Sequence, residues 1–339
     1  MKISKFQTIV DVPAYNWKTG YSKKNIFVGS CFTENVGNRM AVLKYNVDIN
    51  PFGILYNPLS VANGFRILLQ QKEFTIADLI KADGLWHSFS HHGRFSSSNE
   101  NETLGAINSR IKTSSEFLKK AEFLFVTFGT AWIYKFKKTG QTVSNCHKIP
   151  SNEFERVRLS VEEIVAEYRR LFSEIRQFNP LLKVLFTVSP IRHWKDGAVE
   201  NQRSKAVLLM AIDELIKEFG DDFCAYFPAY EIVMDELRDY RFYAGDMIHI
   251  SEIAVDHIWE KFSDSLIDQE SVQVSIRINK IVQAINHKPL HPNSSEYSKF
   301  LHQMVNQLIQ IAAEFPKIDL KFEKEFFISE IEKSGNKIG

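Results

Sequence analysis

The chain has 339 residues, 44% of them hydrophobic and 24% charged, which excludes a disulfide miniprotein and an intrinsically disordered chain. The 42 Lys and Arg against 41 Asp and Glu leave a net charge of +1, so no global basic field marks a protein that coats nucleic acid. The opening MKISKFQTIVDVPAYNW lacks the apolar core and cleavage pattern of a secretory signal, and no stretch reaches the ~20 apolar residues of a membrane span. Three cysteines (Cys31, Cys146, Cys224) without CxxC spacing argue against a disulfide framework or a cysteine-rich zinc site and fit a cytoplasmic location.

In chain order, four short apolar runs read as buried strands. Asn25–Val28 leads into Gly29-Ser30, Glu122–Phe128 into Gly129-Thr130, Leu182–Val188 into Ser189-Pro190, and Phe223–Phe227 into Pro228. Their apolarity is continuous rather than alternating, as in parallel strands covered on both faces. Helical patterns lie between and after them. Ser160 and Glu163 form a capping box ahead of Val161, Ile164, Val165, Tyr168 and Leu171. A second helix is predicted over 201–218, and a third from Ser251, with Ala254, Ile258 and Phe262 on one face. This alternation predicts an open parallel α/β sheet with helices on both sides, whose chemistry gathers beyond the carboxyl ends of the strands.

The character changes near Asp268. Two amphipathic helices are expected over 272–286 and 294–314, separated by the turn-rich HKPLHPNSS, and a charged tail from Lys317 is expected to fray at Ser334-Gly335-Asn336. The division is therefore a core over 1–267 and a C-terminal helical extension over 268–339, docked on the core or on another subunit.

Two segments carry candidate chemistry. Ser30, after glycine at the end of the first strand, stands where a nucleophile or a helix cap would stand, and its own N–H could serve an oxyanion. In Asp246-Met247-Ile248-His249 the Asp can hold the imidazole through Nδ1–H and leave Nε2 to take a serine proton; the plain alternative is a loop histidine beside the Ser251 cap.

Gly29-Ser30-Cys31-Phe32 resembles the motif of the GSCFA family, similar to a branch of the SGNH/GDSL hydrolases. Further marks are Asn50-Pro51-Phe52-Gly53-Ile54-Leu55-Tyr56-Asn57-Pro58, Thr127-Phe128-Gly129-Thr130-Ala131-Trp132, Asn145-Cys146-His147-Lys148, Ser189-Pro190-Ile191-Arg192-His193-Trp194 and Asp246-x-x-His249. The resemblance covers roughly residues 20 to 265. It implies a three-layer α/β/α, flavodoxin-like sheet. It also implies a triad of Ser30 as nucleophile, His249 as base and Asp246 as orienting partner, with Gly53 as a backbone oxyanion donor. Relatives carry an Asn in the third block where this chain reads Gly129-Thr130-Ala131-Trp132; either another donor serves there, Thr130 being nearest in sequence and Asn57, His147 and the Trp132 indole also available, or the hydrolase activity is weak.

The implied activity is ester hydrolysis through an acyl-enzyme with no metal or organic cofactor; a carbohydrate O-acyl or O-acetyl ester is the preferred substrate class, with lysophospholipid and thioester cleavage left open. The rivals are a non-hydrolytic binding or scaffold protein that keeps the cleft, and an O-acyltransferase using the same triad. The substrate-binding set is Asn57, Trp86, His92, Trp132, His147, Arg192 and His193. The dense Trp86-His87-Ser88-Phe89-Ser90-His91-His92 could be drawn with Asp246 and His249 as a metal site. His87 and His91 stand four apart, but no helix is read there to bring them onto one face and there is no HExxH, so the segment reads equally as a polar binding loop or a solvated one. Arg192 reads as a ligand for an anionic group or as a partner of Asp196 or Glu200. Cys31 is expected to pack in the core. No nucleic-acid partner is expected, and the extension offers a surface for self-association.

Overall fold

A computed structural model describes residues 3–4 and 7–333. Its centre is a five-stranded parallel sheet of β1 (Lys24–Gly29), β2 (Asn46–Ile49), β3 (Phe123–Phe128), β4 (Lys183–Val188) and β5 (Cys224–Tyr226). The spatial order is β5-β4-β3-β1-β2. The chain reverses direction across the sheet between β1 and β3, and at such a switch point the loops leave a crevice beyond the strand ends. In register, Gly29 lies beside Thr127, and Thr127 beside Thr187.

Helices cover both faces. Along β1, Ile26 and Val28 enter one core while Phe27 enters the other; along β3, Leu124, Val126 and Phe128 face one way and Phe123 and Phe125 the other. Side chains alternate across a strand, so a strand sandwiched by helices must be apolar at every position. One face is covered by α2 (Pro58–Gln70), α3 (Glu100–Leu118), α4 (Val161–Phe178) and α5 (Gly197–Phe219). The other is covered by α1 (Cys31–Val42), α6 (Glu252–Leu266) and the 229–236 segment. This is the α/β/α architecture expected.

The four expected strands form, and the Ser160–Glu163 capping box is present at the start of α4. The helix expected after Ser30 forms as α1, and the structure adds β2, α2 and α3, for which no expectation was drawn. Their buried faces are broken by polar positions that find local partners: Ser115 Oγ donates to Leu68 O at 2.7 Å. Helix α5 begins four residues earlier than expected. An antiparallel insertion of residues 132–136, 142–143 and 154–158 follows β3.

Beyond Asp268, α7 (Gln269–Asn286), α8 (Ser295–Glu314) and α9 (Lys321–Lys333) enclose a core of their own around Ile278, Leu301, Leu308 and Phe327. They dock on the sheet domain. Tyr21 stacks on Tyr45 at 4.1 Å and packs against the extension's core, and Lys44 pairs with the buried Glu323 at 2.5 Å. The expected tail from Lys317 is largely helical; its fraying point at residues 334–336 lies outside the described residues. Among the described residues no helix is long and apolar enough to cross a membrane.

Candidate functional site

The turn after β1 is shaped by glycine. Gly29 has φ +147°, and a β-carbon there would lie 2.2 Å from Thr127 O, so only glycine passes this close to β3. The Asn50 side chain accepts the Gly29 N–H at 2.9 Å and donates to Glu34 at 3.2 Å, fixing the turn from the β2 side. Ser30 follows as the residue that opens α1, and it is 1% exposed.

Ser30 Oγ forms no capping bond to α1, and among the described residues it has no hydrogen-bond partner. The capping alternative is therefore not realised. A buried hydroxyl left unbonded costs about 1–3 kcal/mol, so this position is not one that folding stability favours. The adjacent Cys31 thiol is half-buried against the α1/α6 core, as expected, and burial raises its pKa.

The second half of the site is the turn before α6. His249 Nδ1 and Asp246 Oδ2 are 2.5 Å apart, and Asp246 Oδ1 accepts the N–H groups of Ile248 and His249 at 2.9 Å each. The turn closes through Met247 at φ +59°. The hydrogen bond from His249 and the two backbone donors hold the Asp246 carboxyl down to about 2. Both side chains are open to solvent, at 54% and 49% exposure. Ser251 caps α6 through Ala254 N–H. His249 forms no hydrogen bond to Ser30.

Over the end of β3 stands a residue expected only as a substrate contact. A β-carbon on Gly129 would lie 3.1 Å from His193 Nε2, so the glycine leaves the space that the imidazole fills. The His193 ring meets the Tyr56 ring edge-on at 5.2 Å, and its own backbone N–H is held by Asn201 Oδ1 at 2.9 Å. Burial first, then the charges of Lys205, Arg156 and His249, push His193 down to about 4, which keeps the ring neutral near pH 7.

The expected oxyanion donors are committed elsewhere in this structure. Ser30 N–H donates to Thr127 O at 3.2 Å, and Gly53 N–H to Asn50 O at 2.8 Å. Thr130 Oγ1 lies 3.1 Å from Ser204 Oγ and accepts Trp132 N–H, so it turns into the protein. Gly53, at φ +78°, lets the chain pass His92, whose Cβ a side chain would strike at 2.2 Å.

Several expected substrate contacts prove structural. Asn57 caps α2, accepting Ser60 N–H at 2.8 Å. His147 Nε2 bonds Ser88 O at 2.7 Å and its ring stacks on His87 at 4.3 Å. His92 Nδ1 accepts Arg94 N–H, and Trp86 packs against the core with Lys81 over its ring. Trp132 lies under the Arg156 guanidinium at 4.7 Å, with its Nε1 buried. Among the described residues no group of three or more His, Cys, Asp and Glu side chains is placed to hold a metal. The pairing of Arg192 with Asp196 or Glu200 is not formed: Asp196 pairs with Arg156, and Glu200 with Arg158 and Arg203.

Lys205 was not anticipated. It is fully buried on α5, and Nζ donates to Gly129 O at 2.6 Å and Ser189 O at 2.7 Å, tying the ends of β3 and β4 together. Burial pulls its pKa down to about 7. The available signal was its register: Lys205 stands on the same helical face as Leu208, Ile212 and Leu215, where an amphipathic helix carries apolar residues.

The GSCFA family matches residues 24–262, and the family described as GSCFA domain protein, C-terminal domain, matches residues 278–333. No curated protein matches the chain. A solved structure with some likeness is an acetyl xylan esterase, Est2A, from the rumen bacterium Butyrivibrio proteoclasticus. It is 12% identical, with a TM-score of 0.37, and the match covers 75% of this chain and 64% of that one, a likeness too distant to support a functional argument.

Proposed function

The chain belongs to the GSCFA family, and on that premise we propose that it is a serine-dependent ester hydrolase, with Ser30 as nucleophile, His249 as base and Asp246 as the residue that orients it. The observation that carries this reading is the buried, unbonded Ser30 Oγ at the carboxyl edge of the sheet, combined with an imidazole already held through Nδ1 by a carboxylate. That carboxylate stays charged across the neutral range, leaving His249 Nε2 as the site that takes a proton.

Ser30 Oγ attacks the ester carbonyl as its proton passes to His249 Nε2. The tetrahedral intermediate expels the alcohol, which takes that proton. Water then attacks the acyl-serine, giving its proton to His249, and the carboxylic acid leaves as Ser30 regains its hydrogen. Catalytic hydrogen bonds are often long without ligand and tighten in the Michaelis complex, so this reading requires substrate binding to bring Ser30 Oγ and His249 Nε2 together before attack. The oxyanion is met by the neutral His193 imidazole, an N–H donor at the strand edge whose ring makes no hydrogen bond among the described residues. An O-acyl or O-acetyl carbohydrate ester is the preferred substrate class.

A second reading has its own support. Because the N–H groups of Ser30 and Gly53 are both engaged, a binding protein that keeps the cleft without turnover also fits. A fluorophosphonate probe with peptide mapping decides: labelling at Ser30, lost in His249→Ala, supports the hydrolase. No labelling in the folded protein favours the binder. Acyl transfer to an added sugar in place of water would identify a transferase using the same residues.

A further inference from the structure

Next to the Asp246–His249 turn lies an open cavity of about 280 Å³, walled by Arg192, Trp194, Met234, Tyr240, Tyr243 and Met247. That is close to the lower end of small-ligand pockets, about 300 Å³, and gives room for one sugar ring. Trp194 and Tyr240 are 47% and 76% exposed, flat apolar surfaces left uncovered.

Charge accounting on this wall leaves one group over. Arg238 is paired with Asp235 at 3.1 Å, and Asp239 with Arg241 at 2.9 Å. Arg156, Arg158 and Arg203 have taken both Asp196 and Glu200. Arg192 is half-buried, yet among the described residues no carboxylate lies within ion-pair distance of it. Its contact is Nη2 with the thioether Sδ of Met234 at 3.2 Å, and a thioether is a weak acceptor. A guanidinium holds a planar carboxylate through two parallel N–H bonds, and with Arg238 already paired this wall offers no second free cation for the further charge of a phosphate dianion.

We propose that this cavity is a subsite for an acidic sugar unit, whose carboxylate is held by Arg192 and whose ring lies against Trp194 and Tyr240. The inference deepens the esterase reading by naming an acidic carbohydrate as the substrate class, but the binding itself does not require turnover.

The test is calorimetric titration of the full chain with D-glucuronate, its methyl ester and glucose 6-phosphate. Glucuronate should bind at least about tenfold more tightly than the methyl ester, which has the same ring without the charge. Arg192→Gln should remove that preference, and Arg192→Lys should restore only part of it. Ser30→Ala should bind glucuronate as the parent does. Equal binding of glucuronate and its methyl ester by the parent protein overturns the proposal without recourse to any variant, as does tighter binding of the sugar phosphate. Glucuronate binding without Ser30 labelling would keep the subsite and remove the hydrolase, so the two readings fail separately.

Discussion

His193 Nε2 stands 3.1 Å from the point where a β-carbon on Gly129 would lie. A residue 64 positions further along the chain thus crowds, together with Tyr56 at 3.3 Å, the space that a side chain at position 129 would take. The end of β3 and the loop after β4 are complementary: the glycine gives room, the imidazole fills it, and Lys205 fixes the backbone beneath both.

If His193 supplies the oxyanion hydrogen bond, His193→Ala should lower kcat on a short-chain aryl ester by about 10²–10³-fold with KM nearly unchanged, the effect of removing one such donor. His193→Gln, which keeps an N–H, should recover part of the rate. Steady-state kinetics on the two variants check this, and a His193→Ala enzyme with parental kcat would assign the ring to packing against Tyr56.

Ser30→Ala should abolish both probe labelling and turnover while leaving the melting temperature equal or raised. The hydroxyl it removes is buried without a partner, a state that costs about 1–3 kcal/mol. A marked fall in melting temperature would show that Ser30 Oγ serves folding instead.

Lys205→Met should destabilise the chain by about 2–6 kcal/mol. It strands two buried carbonyls, Gly129 O and Ser189 O, each at about 1–3 kcal/mol. Urea unfolding measures the loss. Turnover should fall as well, because the end of β3 that supports His193 loses its tie to β4.

Acid should weaken the fold in a defined window. Burial pushes His193 and His147 down to about 4 and His91 to about 3, from an ordinary 6.5. The unfolded chain therefore binds more protons than the native one below about pH 6.5. Stability is fully present above that pH and is lost as pH falls toward 4 and then 3. Urea midpoints at pH 7.5, 6 and 4.5 should decline in that order, and His147→Asn should flatten the decline. These rings should stay neutral by NMR at pH 5.5; protonation at that pH would remove the explanation.

Asp246→Asn should leave the fold intact, since both side chains of the pair are solvent-exposed. Turnover should fall sharply because the imidazole loses the partner that fixes its tautomer. Circular dichroism with a pH–rate profile tests both halves.

The sequence by itself determined the layers of this protein. A strand covered on both faces must be apolar throughout, so β1, β3, β4 and β5 were legible as short unbroken runs. The Asp246–His249 pair was legible because its partners are three residues apart, and a turn that short brings them together. The capping box of α4 is local in the same way. What only the tertiary structure decided is which groups meet across the sheet edge. Thr130 is near the oxyanion site in sequence but bonds to Ser204, whereas His193 and Lys205 reach Gly129 from other loops and helices. Asn57 proved to be a helix cap, and Arg192 was left unpaired because Arg156, Arg158 and Arg203 reach the neighbouring carboxylates. Such outcomes depend on distances between strand ends and on competition for each polar partner. Local residue patterns do not encode either, because both exist only once the chain has closed around its core.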